Sequence, residues 1–162
     1  MFDEKLAVST EDLDFAWRIW IAGYKIKFSS KSLVFHFTKT IEMRKEMKID
    51  NYKQYFHITK NTMRTILKNY SFFYLIYYLP QALAINLVRA LLVLVRRNDS
   101  SAIKAFVSAF IWNLVVLKDT LKERSKVQKS RKIKDKDLYD IIMVKENLYE
   151  IYKKYFSQTN LL

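Results

Sequence analysis

The chain has no cysteine, and its 162 residues include only one glycine and one proline. Without cysteine there is no disulfide framework and no thiolate metal site. With so few turn-forming residues, tight turns are scarce and a mostly helical fold is expected. No secretory leader is expected either, because Met1 opens into the acidic phrase FDEK and not into a basic segment followed by an apolar one. The expected location is the cytoplasm or the cytoplasmic face of a membrane.

Hydrophobic residues make up 51% of the chain and aromatics 15%, a supply that suits a membrane surface as well as a core. The formal charge of +13 is unevenly placed. Residues 1–50 carry nine basic and eight acidic side chains, residues 51–162 twenty and eight. The basic part also holds the long apolar runs. That pairing favours an anionic membrane surface over nucleic acid, since apolar residues gain from lipid and nothing from a phosphate backbone. The stretch Lys118 to Lys136 has nine basic and three acidic residues and no aromatic. It therefore lacks the stacking platforms that RNA or single-stranded DNA requires, and nucleic acid is not expected as a partner.

Ser9 or Thr10, followed by Glu11 and Asp12, reads as an N-cap with an acidic first turn. Phe15, Ile19 and Ala22 then recur on one helical face as far as Gly23, which predicts a helix from about Glu11 to Ala22 with a glycine stop. Tyr24 to Ser29 and Leu33 to Phe37 read as two short strands around the polar break SSKS. Met43 to Asn69 has a polar-helical pattern, with Tyr52, Tyr55, Ile58, Thr59, Met63, Ile66 and Leu67 near helical spacing, and is expected to be a connecting helix.

Asn69 to Val88 is a charge-free run of twenty residues, and it continues after Arg89 as ALLVLV. Its length suits a membrane span, whereas Pro80, Gln81 and Asn86 interrupt it. Ala105 to Leu117 is thirteen residues, too short to cross roughly 30 Å of hydrocarbon at about 1.5 Å per residue, and is expected to lie in the interface. There Ile103, Phe106, Val107, Phe110, Ile111, Leu114 and Leu121 read as an apolar face, with Lys104, Ser108 and Lys118 marking the other. Arg96 and Arg97, between the two apolar segments, are placed to meet headgroups, as are Lys104 and Lys118. Leu138 to Phe156 repeats apolar and aromatic residues at helical spacing, as a packing surface.

Taken alone, Glu11, Asp12 and Asp14 have an ordinary explanation as acidic residues that complement a helix N-terminus. His36, at the end of an apolar segment, is most simply a structural histidine. The phrase FDEKLAVSTEDLDFAWRIWIAGYKI followed by VFHF, however, resembles the acceptor-side half of the inverting family-2 glycosyltransferases of the GT-A fold. The matching positions are Phe2, Asp3, Glu4, Glu11, Asp12, Asp14, Trp17, Arg18, Gly23, Tyr24 and His36, all within residues 1–40.

The resemblance implies four segments. Residues 1–40 are the C-terminal part of a GT-A catalytic domain, 41–69 a connecting helix, 70–117 apolar and amphipathic membrane-associated helices, and 118–162 a basic stretch with a C-terminal amphipathic helix. The implied fold is mostly α with a small α/β portion. Asp12 is implied as the catalytic base that takes a proton from the acceptor hydroxyl, a task suited to a carboxylate held rigidly at a helix start. Glu11, Asp14, Trp17 and Arg18 are implied to contact or support the acceptor side, and His36 to join a metal or diphosphate site. A divalent cation, Mg or Mn, is expected for the complete enzyme, to offset charge on the departing nucleoside diphosphate.

The strands, loops and metal motif that bind the nucleotide-sugar donor in that family have no counterpart in the 162 residues. The expectation is therefore a truncated or split transferase, inactive alone. Its acceptor would be a lipid-linked glycan or a cell-surface polysaccharide. The competing expectation is a non-catalytic basic module for membrane binding or assembly, in which the acidic cluster only caps a helix.

Overall fold

A computed structural model of the chain describes residues 1–27, 29–33 and 51–142. The first helix, α1 (Glu11–Ile21), stops where the sequence says it should. Ala22 is its C-cap and Gly23 follows with φ +81°. The Gly23 N–H donates to Trp20 O (2.9 Å) and the Tyr24 N–H to Ile19 O (3.1 Å), the paired bonds of a Schellman turn.

The start of α1 differs from expectation. Thr10 occupies the N-cap, but with φ 67° and no side-chain cap bond. Ala7 and Ser9 are also left-handed, a conformation that disfavours any residue with a Cβ. A clamp from elsewhere holds them there. The buried Asn61 amide donates to Leu6 O (2.8 Å), Val8 O (2.7 Å) and Ser9 O (2.6 Å), and Lys60 Nζ donates to Lys5 O (2.9 Å).

Both clamp residues belong to α2 (Asn51–Asn69). After it come α3 (Phe72–Arg97), α4 (Ser101–Val115), α5 (Leu117–Ser130) and α6 (Asp135–Ile142). The molecule is mostly helical, and no strand occurs among the described residues. The expected strand over Tyr24 to Ser29 is not formed in its described part, and no described segment pairs with it in a ladder. Beyond Leu33, the strand expected to end at Phe37 lies outside the described residues, as do His36, the start of the expected connecting helix and the far end of the C-terminal one.

The segment expected as a connector is the hub, because α2 packs against α1, α3, α4 and α5. The helix buries Lys60, Asn61, Arg64, Thr65, Lys68 and Asn69, a polar stripe at i, i+4 spacing, while Ile58 stays partly exposed. A compact apolar cluster of Trp17, Ile21, Tyr70, Val127 and Leu138 closes the end where α1, α5 and α6 meet the start of α3. There Trp17 meets Tyr70 edge-on at 4.6 Å.

The basic stretch after Lys118 turns inward as well as outward. Arg124 donates to Leu67 O (2.6 Å) and Tyr70 O (2.7 Å), Gln128 donates to Lys68 O (3.0 Å), and Arg131 donates to Asn69 O. Side chains of α5 and the residue after it thus satisfy the carbonyls that the end of α2 leaves open.

Polarity is inverted in α3 and α4. Pro80 does not break α3, which is one helix of 26 residues with only Ala90 buried. It is long and apolar enough to cross a membrane. In α4 the buried side is small and polar: Ala102, Ala105, Ala109 and Asn113. Val107, Phe110, Ile111, Leu114 and Val115 point outward, the last 77% exposed. Lys104 begins that same exposed side and does not mark the opposite one as expected. Small residues let α4 approach α2 closely, which is why its bulky residues are left outside.

Candidate active-site cleft

The three carboxylates of α1 share one helical turn and take three different roles. Asp14 points inward and is fully buried. It accepts from Arg18 Nε (2.9 Å), Lys68 Nζ (3.0 Å) and Asn69 Nδ2 (2.9 Å). Glu11 is half-buried, and its Oε2 has no hydrogen-bond partner. Asp12 is exposed, and its Oδ1 accepts only the Leu13 N–H (2.7 Å).

Asp3, from the FDE phrase, completes the buried network. It accepts from Arg64 Nε (2.9 Å) and forms a very short contact with Lys68. Arg64 continues to Thr120 Oγ1 (2.6 Å) and Asp119 Oδ2 (2.8 Å), which ties α5 to the same centre. Burial alone would raise the Asp3 pKa, but the hydrogen bonds and charges of Arg64 and Lys68 outweigh it and hold the carboxyl at about 2. Lys60 moves the other way. Burial and the nearby Arg64 charge lower it to about 8, even though its ammonium sits 4.4 Å from the Trp112 ring. The buried Asp14 and the largely buried Asp3 thus pair with the buried Lys68 and Arg64, and the FDE and ED phrases are fastened onto α2.

Beside this network lies a cleft of about 820 Å³, lined by Phe2, Asp3, Phe15, Arg18, Arg64, Lys68 and neighbouring residues of α5. Arg18 reaches its rim, with Nη2 donating to Met1 O (2.9 Å). Asp12 does not line this cleft. Its neighbour Leu13 lines a smaller pocket of about 160 Å³ with Trp17, Tyr70, Tyr74, Asp135, Leu138 and Tyr139.

The structure therefore brings together Asp14 and Arg18 as an ion pair, places Trp17 in the apolar core, and leaves Asp12 apart at the surface. Of the residues expected at a membrane, Arg96, Arg97, Lys104 and Lys118 are all exposed. Among the described residues, no three His, Asp or Glu side chains are grouped to hold a metal ion.

Sequence reasoning missed Lys60, Asn61, Arg64, Lys68 and Thr120. The signal available was the spacing of Lys60, Arg64 and Lys68, three cations on one side of a helix that must meet carboxylates or other acceptors if that side is buried. The chain matches no protein-family model, no curated protein and no solved structure.

Proposed function

We propose that this chain is the acceptor-side, membrane-associated part of an inverting family-2 glycosyltransferase of the GT-A fold. When joined to a donor-binding half, it directs a sugar from a nucleotide-sugar donor onto a lipid-linked or polysaccharide acceptor. The observation that carries this reading is the division of labour in the motif. Asp3 and Asp14 are consumed in buried ion pairs, while Asp12 stands exposed on the frame they fix. A general base needs that combination of access and rigid mounting.

In the proposed reaction Asp12 accepts the proton of the acceptor hydroxyl as that oxygen attacks the anomeric carbon. The bond to the nucleoside diphosphate breaks on the opposite face, so the configuration inverts. Arg18, Trp17 and Glu11 act by supporting the turn that carries Asp12. A divalent cation in the complete enzyme would offset charge on the diphosphate, and His36 is assigned to that side by the motif alone. The chain should sit on the cytoplasmic face of an anionic membrane.

The test is to fuse the chain behind a GT-A donor-binding half and to measure sugar transfer from a nucleotide donor. Asp12→Asn should abolish turnover and leave donor binding intact. Wild-type activity in that variant would refute the assignment. The exposed apolar sides of α3 and α4 favour a second reading, a non-catalytic membrane or assembly module. That reading predicts vesicle binding with no transfer from any fusion.

A further inference from the structure

We infer that α3 and α4 form a lipid-facing hairpin that lies flat in one leaflet of an anionic bilayer and does not cross it. This concerns the mode of membrane binding and does not depend on transferase activity.

Four observations converge on it. First, the exposed bulky apolar residues of α3 fall on one side: Phe72, Phe73, Ile76, Tyr77, Leu87, Val88, Leu91 and Val95 recur at helical spacing, with Phe73 81% and Val95 80% exposed. Secondly, α4 follows after a three-residue connection, 98–100, packs against α3, and carries its own exposed apolar side. Two exposed runs of bulky apolar residues on helices that pack together need a covering.

Thirdly, the hub travels with the hairpin. Asn51 donates to Asp99 Oδ2 (3.3 Å) at the hairpin turn, and Asn113, near the other end of α4, donates to Lys60 O (3.1 Å). The polar helix α2 therefore runs alongside α4 over its length. If α3 crossed the bilayer, α2 would be drawn in beside it. The turn would carry Arg96, Arg97, Asp99 and Lys104 through the hydrocarbon, together with the exposed Asn51 and Gln54. Lying flat, the same body keeps α2 on the water side and its bulky apolar residues in lipid.

Fourthly, the charge fits lipid rather than a protein groove. Arg96, Arg97 and Lys104 cluster at the turn, where they can reach headgroup phosphates from the edge of the apolar surface, and Lys118 follows the far end of α4. At 15 residues, α4 is about 22 Å long, short of a span, and α5 departs from it at 68°.

Because the chain has no native cysteine, single probes can be placed cleanly. Phe73→Cys, Val95→Cys, Val107→Cys and Val115→Cys are labelled with the environment-sensitive fluorophore NBD in the full chain, with Lys122→Cys on α5 as control. The labelled proteins are added to preformed vesicles of phosphatidylcholine and phosphatidylglycerol. The four apolar sites should shift to the blue and gain intensity, and the control should not. Shallow lipid-borne quenchers should outperform deep ones at all four sites, and external dithionite should bleach both ends of α3 equally.

Salt should weaken binding, since the attraction is screened over about 8 Å at physiological ionic strength. Protection of one end of α3 from dithionite would establish a span and overturn the inference. So would probes already in apolar surroundings before vesicles are added, in a chain that runs as a dimer, because a second copy would then be the covering. Unchanged emission at all four sites on adding vesicles would overturn it as well.

Discussion

Asp14→Ala should unfold the motif region, whereas Asp12→Ala, two residues away, should leave it standing. Asp14 receives two charged hydrogen bonds and one neutral one in a fully buried position. Charged bonds of this kind contribute about 1.5–3 kcal/mol each and a neutral one about 1. The terms do not add in full, because Arg18 is 23% exposed and turns to water, and Lys68 keeps Asp3. The expected loss for Asp14→Ala is therefore about 3–5 kcal/mol, the usual range when one partner of a buried pair is removed.

Asp12→Ala loses only its interaction with the helix N-terminus and a local bond, about 0.3–1 kcal/mol. Urea unfolding followed by circular dichroism at the helix band, in mild detergent, measures both. A cycle that combines Asp14→Ala with Lys68→Met should show coupling of about 1–3 kcal/mol. Equal losses at the two aspartates, or an Asp14→Ala loss below about 0.5 kcal/mol, would refute the division of roles on which Asp12 was assigned.

Other consequences are separately measurable. Asp3 has its carboxyl held at about 2 against an ordinary 3.8. Its contribution, about 2 kcal/mol by linkage, is complete above pH 4 and is lost as pH falls through 2, so Asp3→Asn should flatten acid unfolding in that window. The depressed Lys60, at about 8 against 10.5, works in the opposite sense. The unfolded chain binds more protons between those values, so stability should rise with pH from 8 to 10.5, and NMR of labelled lysine should find one resonance titrating near 8. Asn61→Leu releases three backbone carbonyls of the left-handed segment and should cost about 1–3 kcal/mol, with early proteolysis before residue 11. Gly23→Ala meets Lys132 at an ordinary 3.5 Å. Its cost, about 1 kcal/mol in thermal unfolding, should come from the left-handed backbone alone.

The parts of the fold that rest on local chemistry were legible in the sequence. Glu11 to Gly23 could be read as a helix because its acidic start and its glycine stop are properties of neighbouring residues. The hub was not legible in that way. Arg64 and Lys68 look solvated until Asp3, Asp14 and Asp119 are brought against them from distant parts of the chain, and Lys60 until it meets Lys5 O and the Trp112 ring. In α4 the polar side is misplaced by the sequence pattern for a related reason: Lys104 reads as marking the side opposite the apolar residues, and it lies on theirs. Apolar periodicity marks which residues share a side, but it does not say whether that side meets protein or lipid. Here the alanines took the protein side. Thr10 takes the N-cap position but makes no side-chain cap bond, because Asn61 holds that segment in left-handed backbone, which no nearby residue foretells.

In the candidate site, the carboxylate cluster was visible as a group, but only the packing separates Asp14 from Asp12. One is locked into the interior by Lys68 and Asn69; the other is left outside. The measurement that bears most directly on Asp12 as the base of an inverting transfer is the anomeric configuration of the product. It would be read by proton NMR from the chain fused to a donor-binding half. An α-linked nucleotide donor should give a β-linked glycoside, and Asp12→Asn should give none. A retained α linkage, or no product from a fusion that binds donor and acceptor, would contradict that role.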